Sequence, residues 1–549
     1  MPYIAKTCNA CNKRVTVNEE CTIDGVRWLT LTCGHQQIEE VTELTDLDAI
    51  VNFRSMDNKQ LLPFQVGGVR FIEQSDFRCL VADEMRLGKT VQALAALWFH
   101  KTLWPIAVIC KSSIKEQWAR EILRWAHSFM VQVIEKSTDK ILPKIDFYIF
   151  SFDILRRYGK PIKNNQFPRG SFFASEQPKE DEIDPELVAV FKKMQIKSII
   201  IDECQQIKNR ESQRAVELRT LIQKVGIKHI LALSGTPIKN NATEYFSILN
   251  ILRPEYFPTY NGYLYRWVDY YYDGLRYKYA GLRDVKGFQD FTKDFIIRRE
   301  REEVLPDLPK VWRDFKFTDM EQEVAEAYNA TLTEFQKYCN ETTDSAFEKT
   351  GNILAYMNKM RHLTGLAKVD FALDFVTEFL TSCNRKIVLF THHKDVALML
   401  FHKLDELCKD GGFDSPIMLA AEISPHERQS VIDEFLNGTS RIAVASTLAY
   451  GEGVTLNKCA DCVLVERQWN PANEEQCECR FIHIEQESEK ITATYLVAVG
   501  TIDEFFSELV EKKRNWASVN GKEVQWEESE IMRELTEILL TVGKAKWRL

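Results

Sequence analysis

The 549-residue chain has no apolar run approaching the roughly 20 residues that a membrane span needs. Its first stretch, MPYIAKTCNACNKR, has no apolar core of the kind a signal peptide carries. The fourteen cysteines are therefore expected to stay reduced, which favours metal binding or packing over disulfides. There is no excess of positive charge: a net charge of −9 argues against a non-specific polyanion binder, but leaves room for a local basic stripe. Short-period repeats and low-complexity tracts are absent, and no nuclease or chromatin-reading module is visible. The expectation is a chain in the cytoplasm or at the nucleoid, or in a host cytoplasm if it is virus-encoded, with no membrane partner.

What is there is an ordinary globular composition, 45% hydrophobic and 28% charged. At about 150 residues per domain, the length predicts three or four units. Up to about residue 60 the chain is rich in cysteine and poor in apolar periodicity. Apolar, β-branched runs then recur at RCLVADE (78–84), IAVICK (106–111), FYIFSF (147–152), SIIIDE (198–203) and ILALSG (230–235), separated by helix-like segments. After the proline-marked RREREEVLPDLPK (298–310) the pattern resumes at 386–393, 417–422, 441–446, 461–466 and 492–500. Strand and helix in alternation predict parallel βαβ units, hence an α/β fold of two tandem lobes. The expected boundaries are a small module over 1–40, a linker over 41–60, lobe 1 over 61–300, a linker and helical part over 301–375, lobe 2 over 376–515, and a helical tail over 516–549. Residues 156–195, polar and rich in proline and glycine, read as a surface insertion.

Three stretches carry chemistry. RCLVADEMRLGKT (78–90) reads as a strand, a loop and a helix start, where backbone N–H groups and the helix dipole suit a phosphate chain. Lys89 is then expected to reach the β/γ phosphates and Thr90 to ligate Mg²⁺. SIIIDECQQIKN (198–209) reads as an apolar strand ending in an acidic pair, with Asp202 holding the magnesium and Glu203 polarising the attacking water. LALSGTPIKNN (231–241) reads as another buried strand running into a polar turn.

On these stretches the chain resembles the Swi/Snf-type DNA translocases of helicase superfamily II, whose phosphate loop reads DEMGLGKT, whose second acidic motif reads DExH and whose third reads SGTP. The resemblance runs from about Leu61 to Arg514. It implies two RecA-like lobes, ATP and Mg²⁺ as cofactors, and movement along duplex DNA without full strand separation. It places Gln65 of LLPFQVGGVRFI against adenine. It adds Asp83, Gly88, Gly453 and Gln476 to the nucleotide site, and Ser112, Thr236, Thr455, Trp469 and Asn470 to a DNA surface. RHLTGLAKV (361–369) and the His-His-Lys at 392–394 lean toward the subgroup that reanneals or remodels forked DNA.

QCECRFIHIEQ (476–486) aligns with the family's sixth motif, QAxxRxHRxGQ. An ideal helix turns about 100° per residue, which would bring Gln476, Arg480 and His483 onto one face and leave the cysteines as packing residues. His483 stands where the second arginine belongs and lacks a guanidinium fork, so hydrolysis is expected to be slow unless another cation, with Arg467 as the candidate, fills in. If Arg467 is not that cation, an exposed charge is the simpler reading. Arg86 replaces a loop glycine, which matters if that position needs φ > 0. Gln205 replaces the histidine that couples hydrolysis to DNA, and an amide can also bridge.

The head is a separate matter. Cys8, Cys11, Cys33 and His35 make two ligand pairs spaced as in a zinc ribbon, with Cys21 as an alternate. A structural Zn²⁺ there would serve docking to DNA or to a protein partner. The competing expectation for the whole chain is a weakly hydrolysing or inactive DNA-binding scaffold recruited through this zinc module.

Overall fold

The computed structural model describes residues 5–7, 14–23, 26–31, 36–40, 44–126, 128–157, 185–235, 242–272, 277–341, 346–419, 425–447, 455–468, 471–483, 485–519 and 528–543. Two units emerge, Met1–Val304 and Leu305–Leu549.

The first unit begins with an antiparallel meander of β1 (Ala5–Thr7), β2 (Arg14–Ile23), β3 (Val26–Leu31) and β4 (Gln36–Glu40), each paired with its sequence neighbour. Cys8, Cys11, Cys33 and His35, the expected zinc ligands, lie outside the described residues. The segment expected as a linker is docked: Ile50 and Phe53 join the first unit's core, with Phe53 stacked on Trp125 at 5.8 Å.

The main sheet of this unit has seven parallel strands in the order β13-β5-β10-β9-β6-β8-β7. These are β5 (Arg78–Val81), β6 (Ile106–Cys110), β7 (Val131–Val133), β8 (Phe147–Ser151), β9 (Ser198–Asp202), β10 (His229–Leu233) and β13 (Ile296–Ile297). β6 and β8 are buried along their whole length, which is why they read as unbroken apolar runs rather than alternating ones. A hairpin of β11 (Val268–Tyr272) and β12 (Tyr277–Leu282) lies outside that sheet. Of the expected insertion, residues 158–184 lie outside the described residues, while its end is a helix, Pro185–Lys193, with Leu187 and Phe191 in the core.

The second unit has six parallel strands in the order β14-β19-β18-β15-β17-β16. They are β14 (Lys310–Thr318), β15 (Ile387–Thr391), β16 (Ile417–Leu419), β17 (Ile442–Ser446), β18 (Asp461–Leu464) and β19 (Lys490–Ala498). β14, which the sequence reading left inside a linker, pairs with β19 along all nine residues. The tail helix Glu528–Thr541 buries Ile531, Leu535 and Leu539, one turn apart on a single face, against helix Gln322–Glu341 and its neighbours. Among the described residues no helix is long and apolar enough to cross a membrane.

Parallel strands place all their C-terminal ends on one edge. In open α/β sheets that edge is where ligands bind. In the first unit Val81, Asp202 and Leu233 end there in register.

Candidate nucleotide site

The loop after β5 turns sharply because two of its residues adopt left-handed backbone: Arg86 at φ 74° and Gly88 at φ 72°. A Cβ at Gly88 would stand 2.4 Å from Gln65 Nε2 and displace that amide from its place against the loop. Arg86 tolerates its conformation at a cost of about 1–2 kcal/mol relative to glycine. An arginine thus holds a left-handed backbone conformation that glycine adopts without steric cost.

Lys89 opens helix Lys89–Trp98, and its ammonium donates to the carbonyls of Asp83 (2.9 Å) and Glu84 (3.1 Å). Burial pulls the Lys89 pKa below its ordinary value, opposed by the nearby carboxylates of Glu203, Asp83, Asp202 and Glu84. Thr90 follows it, half-buried. Gln65 accepts from Leu62 N (2.9 Å), closing the turn that starts its own helix, and donates to Leu87 O (3.3 Å). Its amide therefore braces the phosphate loop. The Asp83 carboxylate is fully buried and faces Gln92 (3.1 Å) and the guanidinium of Arg299 (3.0 Å to Nε).

Asp202 ends β9 with one carboxylate oxygen accepting from Trp118 Nε1 (2.7 Å) and the other from Glu203 N (2.9 Å). Removal from water and the neighbouring Glu203 push its pKa up to about 7. Glu203 itself is left-handed, at φ 49°. Gln205 then joins two motifs: its amide nitrogen donates to the Glu203 carboxylate in a short contact, and its oxygen accepts from Ser234 Oγ at 2.7 Å. The next residue, Gly235, leaves room for the phosphate loop, because a Cβ there would meet Met85 Cγ at 2.8 Å and approach Lys89 Nζ to 3.5 Å. Lys89, Asp202, Glu203, Gln205 and Ser234 thus share one corner of the first unit. A carboxylate at Asp202 with the Lys89 ammonium in its field is a donor set that fits a Mg²⁺–phosphate group.

Ser112 begins an exposed turn beyond β6. Thr236, Gly453, Trp469 and Asn470 lie outside the described residues.

The sixth motif departs from the expected helix. Helix Pro471–Glu478 stops three residues into QCECRFIHIEQ, and the chain turns at Cys479–Phe481. Gln476 and Arg480 remain linked, by Arg480 Nε donating to Gln476 O (3.0 Å), and the Arg480 carbonyl accepts from Leu456 N (2.8 Å) beside half-buried Thr455. His483 is not on a shared helical face. Its Nδ1 accepts from Glu485 N at 3.1 Å, two residues on, and lies 3.6 Å from the Glu485 carboxylate. Cys477 and Cys479 are buried, as packing residues, and among the described residues no three or more His, Cys, Asp and Glu side chains converge on a metal site of their own.

Arg467 overturns both readings offered for it. It is neither exposed nor available to another site: only 2% of it reaches solvent, and its guanidinium forks Glu474 at 2.8 and 3.0 Å beneath the rings of Tyr495 and Phe506.

Sequence reasoning missed Trp118, Gln92, Arg299 and Arg301. Arg299 and Arg301 sit in RREREEVLPDLPK, a stretch singled out only as a connector, and Trp118 lies seven residues beyond the run IAVICK.

Two parallel-sheet lobes, with a Gly-Lys-Thr loop and a strand-end Asp-Glu in the first, define the two-lobed helicase class. The chain belongs to the SNF2-related family: the family model described as "SNF2-related domain" matches residues 23–366, and "Helicase conserved C-terminal domain" matches 367–485. It is similar to the Bos taurus DNA annealing helicase and endonuclease ZRANB3, 25% identical over 91% of this chain and 44% of that protein. It is similar also to the Xenopus tropicalis SWI/SNF-related matrix-associated actin-dependent regulator of chromatin subfamily A-like protein 1, 29% identical over 84% of this chain and 45% of that protein. The chain spans about half the length of these curated relatives.

Proposed function

We propose that this chain is a DNA-stimulated ATPase that uses hydrolysis to track along, or remodel, duplex or forked DNA. The observation that carries the reading is the corner where Lys89, Asp202 and Glu203 meet Ser234 through Gln205. In this reading Lys89 and the loop N–H groups bind the phosphates, while Thr90 and Asp202 would hold Mg²⁺. That ion supplies charge neutralisation on the phosphates when bound. Glu203 orients the attacking water, and its carboxylate is held by Gln205. Because Gln205 also grips Ser234, at the start of the third motif, the water-orienting group is tied to the neighbouring strand end. A bridging amide thus takes over the coupling expected of the missing histidine. Gln476 and Arg480 are assigned to nucleotide contacts in this reading, and Ser112, Thr236, Thr455, Trp469 and Asn470 to DNA. The similarity to annealing helicases favours forked DNA as the substrate, and a zinc-bound head would dock to DNA or to a protein partner.

Equilibrium binding of a fluorescent ATP analogue with Mg²⁺ tests the core of this. The wild-type chain binds it, and Lys89→Ala weakens binding at least tenfold; equal binding by both proteins contradicts the assignment.

A second reading, a scaffold that binds DNA and ATP but turns over little, is favoured by one observation. His483 is tied to Glu485, and Arg467 is spent on Glu474, so Arg467 does not replace the missing arginine.

A further inference from the structure

We propose that Glu84 and Arg301 form a nucleotide-responsive latch that ties the phosphate loop to the segment leading out of the first lobe; this rests on the reading that Lys89 binds ATP phosphates. Two acidic residues of the loop, Asp83 and Glu84, are each gripped by an arginine more than 200 residues away in sequence. Arg299 forks Asp83, with Nε 3.0 Å from Oδ1, and adds a bond to Gln92 at 2.7 Å. Arg301 holds Glu84 through its backbone N (2.8 Å) and Nε (2.6 Å). The strands are stitched once more by Glu84 N donating to Arg299 O at 3.0 Å.

The two grips differ in environment. Asp83 is fully buried beneath Arg299, so breaking that pair would strand a charge away from water. Glu84 and Arg301 keep 30% and 23% of their side chains exposed, where an ion pair exchanges readily with solvent. The inner fork is therefore the anchor, and the outer one is the part able to open.

Lys89 supplies the trigger. Two of its three ammonium protons go to the carbonyls of these same residues, Asp83 and Glu84, and the bond to Glu84 is the longer. Phosphate oxygens compete for that ammonium and draw it first from Glu84 O. The Glu84 backbone then relaxes, and its carboxylate loses its alignment on Arg301. Only two residues lie between Arg301 and Val304, where the first unit ends. Release of the outer fork therefore loosens the last residues of the first lobe while the inner fork keeps β13 docked beside β5. Glu84 and Arg301 are positioning residues in this scheme and touch no substrate.

The test is amide hydrogen exchange over residues 298–304 of the full chain, with and without saturating non-hydrolysable ATP analogue and Mg²⁺, alongside the affinity for a fluorescent analogue. In the wild type, nucleotide raises exchange there at least fivefold. Arg301→Gln and Glu84→Gln exchange fast without nucleotide and respond no further, while their affinities stay within threefold of wild type. Arg301→Lys, which keeps the charge but not the fork, retains part of the response. No rise in the wild type with nucleotide bound, or a full response in Arg301→Gln, overturns the latch and leaves the ATPase reading standing. Failure of the wild type to bind nucleotide removes both.

Discussion

The phosphate loop and the sixth motif both depart from the family pattern, and the molecule absorbs two of the changes, Arg86 and His483, differently. Arg86 replaces a glycine, the residue with the freest backbone, and the arginine itself adopts φ 74°. His483 replaces an arginine whose contribution is charge, and the histidine does not restore it in kind: the neighbouring Glu485 N–H bonds its imidazole, and the helix has already ended at Glu478. A position that is dictated by geometry survives replacement at a small conformational cost. A position that is dictated by charge does not.

That contrast would break if Arg467 were the substitute cation. Arg467→Ala is expected instead to destabilise the second lobe by about 3–5 kcal/mol, since it leaves buried Glu474 without its partner; thermal or urea unfolding reads this directly. A folded, fully stable variant with lost turnover would show that the guanidinium serves the nucleotide. His483→Arg sharpens the charge side of the comparison. An arginine finger is worth about 10³ to 10⁵ in rate, and even partial restoration raises ATP turnover at least tenfold; an unchanged rate means a different group already supplies the charge. Arg86→Gly, the smallest effect, relieves the left-handed strain and stabilises the first lobe by about 1 kcal/mol, visible as a rise of a few degrees in melting temperature. A fall would mean that the Arg86 side chain holds the loop together.

Much of this was legible in the sequence because it is local. Strands buried on both faces announce themselves as apolar runs, and the phosphate loop and Asp202-Glu203 stand at strand ends by sequence alone. The tail helix was readable from Ile531, Leu535 and Leu539 at four-residue spacing. What escaped depends on distant partners. β14 is a largely exposed edge strand with no apolar alternation to betray it, and only its pairing with β19 makes it a strand. The burial of Arg467 is set by Glu474, Ser507 and three aromatic rings, none of them adjacent in sequence. Arg299 and Arg301 looked like charges in a polar connector, because their partners lie 216 and 217 residues earlier. The end of the sixth-motif helix at Glu478 likewise has no breaker residue, and Arg313, which forks Glu478 at 2.6–2.7 Å, comes from β14.

The central claim is that the corner built by Lys89, Asp202, Glu203 and Gln205 hydrolyses ATP in response to DNA. The most direct measurement is steady-state ATP hydrolysis by the wild type and by Glu203→Gln, without DNA and with single-stranded, duplex and forked DNA. The account predicts turnover that DNA stimulates, most strongly when forked, and that Glu203→Gln reduces by about 10³-fold or more, equivalent to roughly 4 kcal/mol of barrier. Absence of hydrolysis on every DNA, or turnover undiminished in Glu203→Gln, would contradict it.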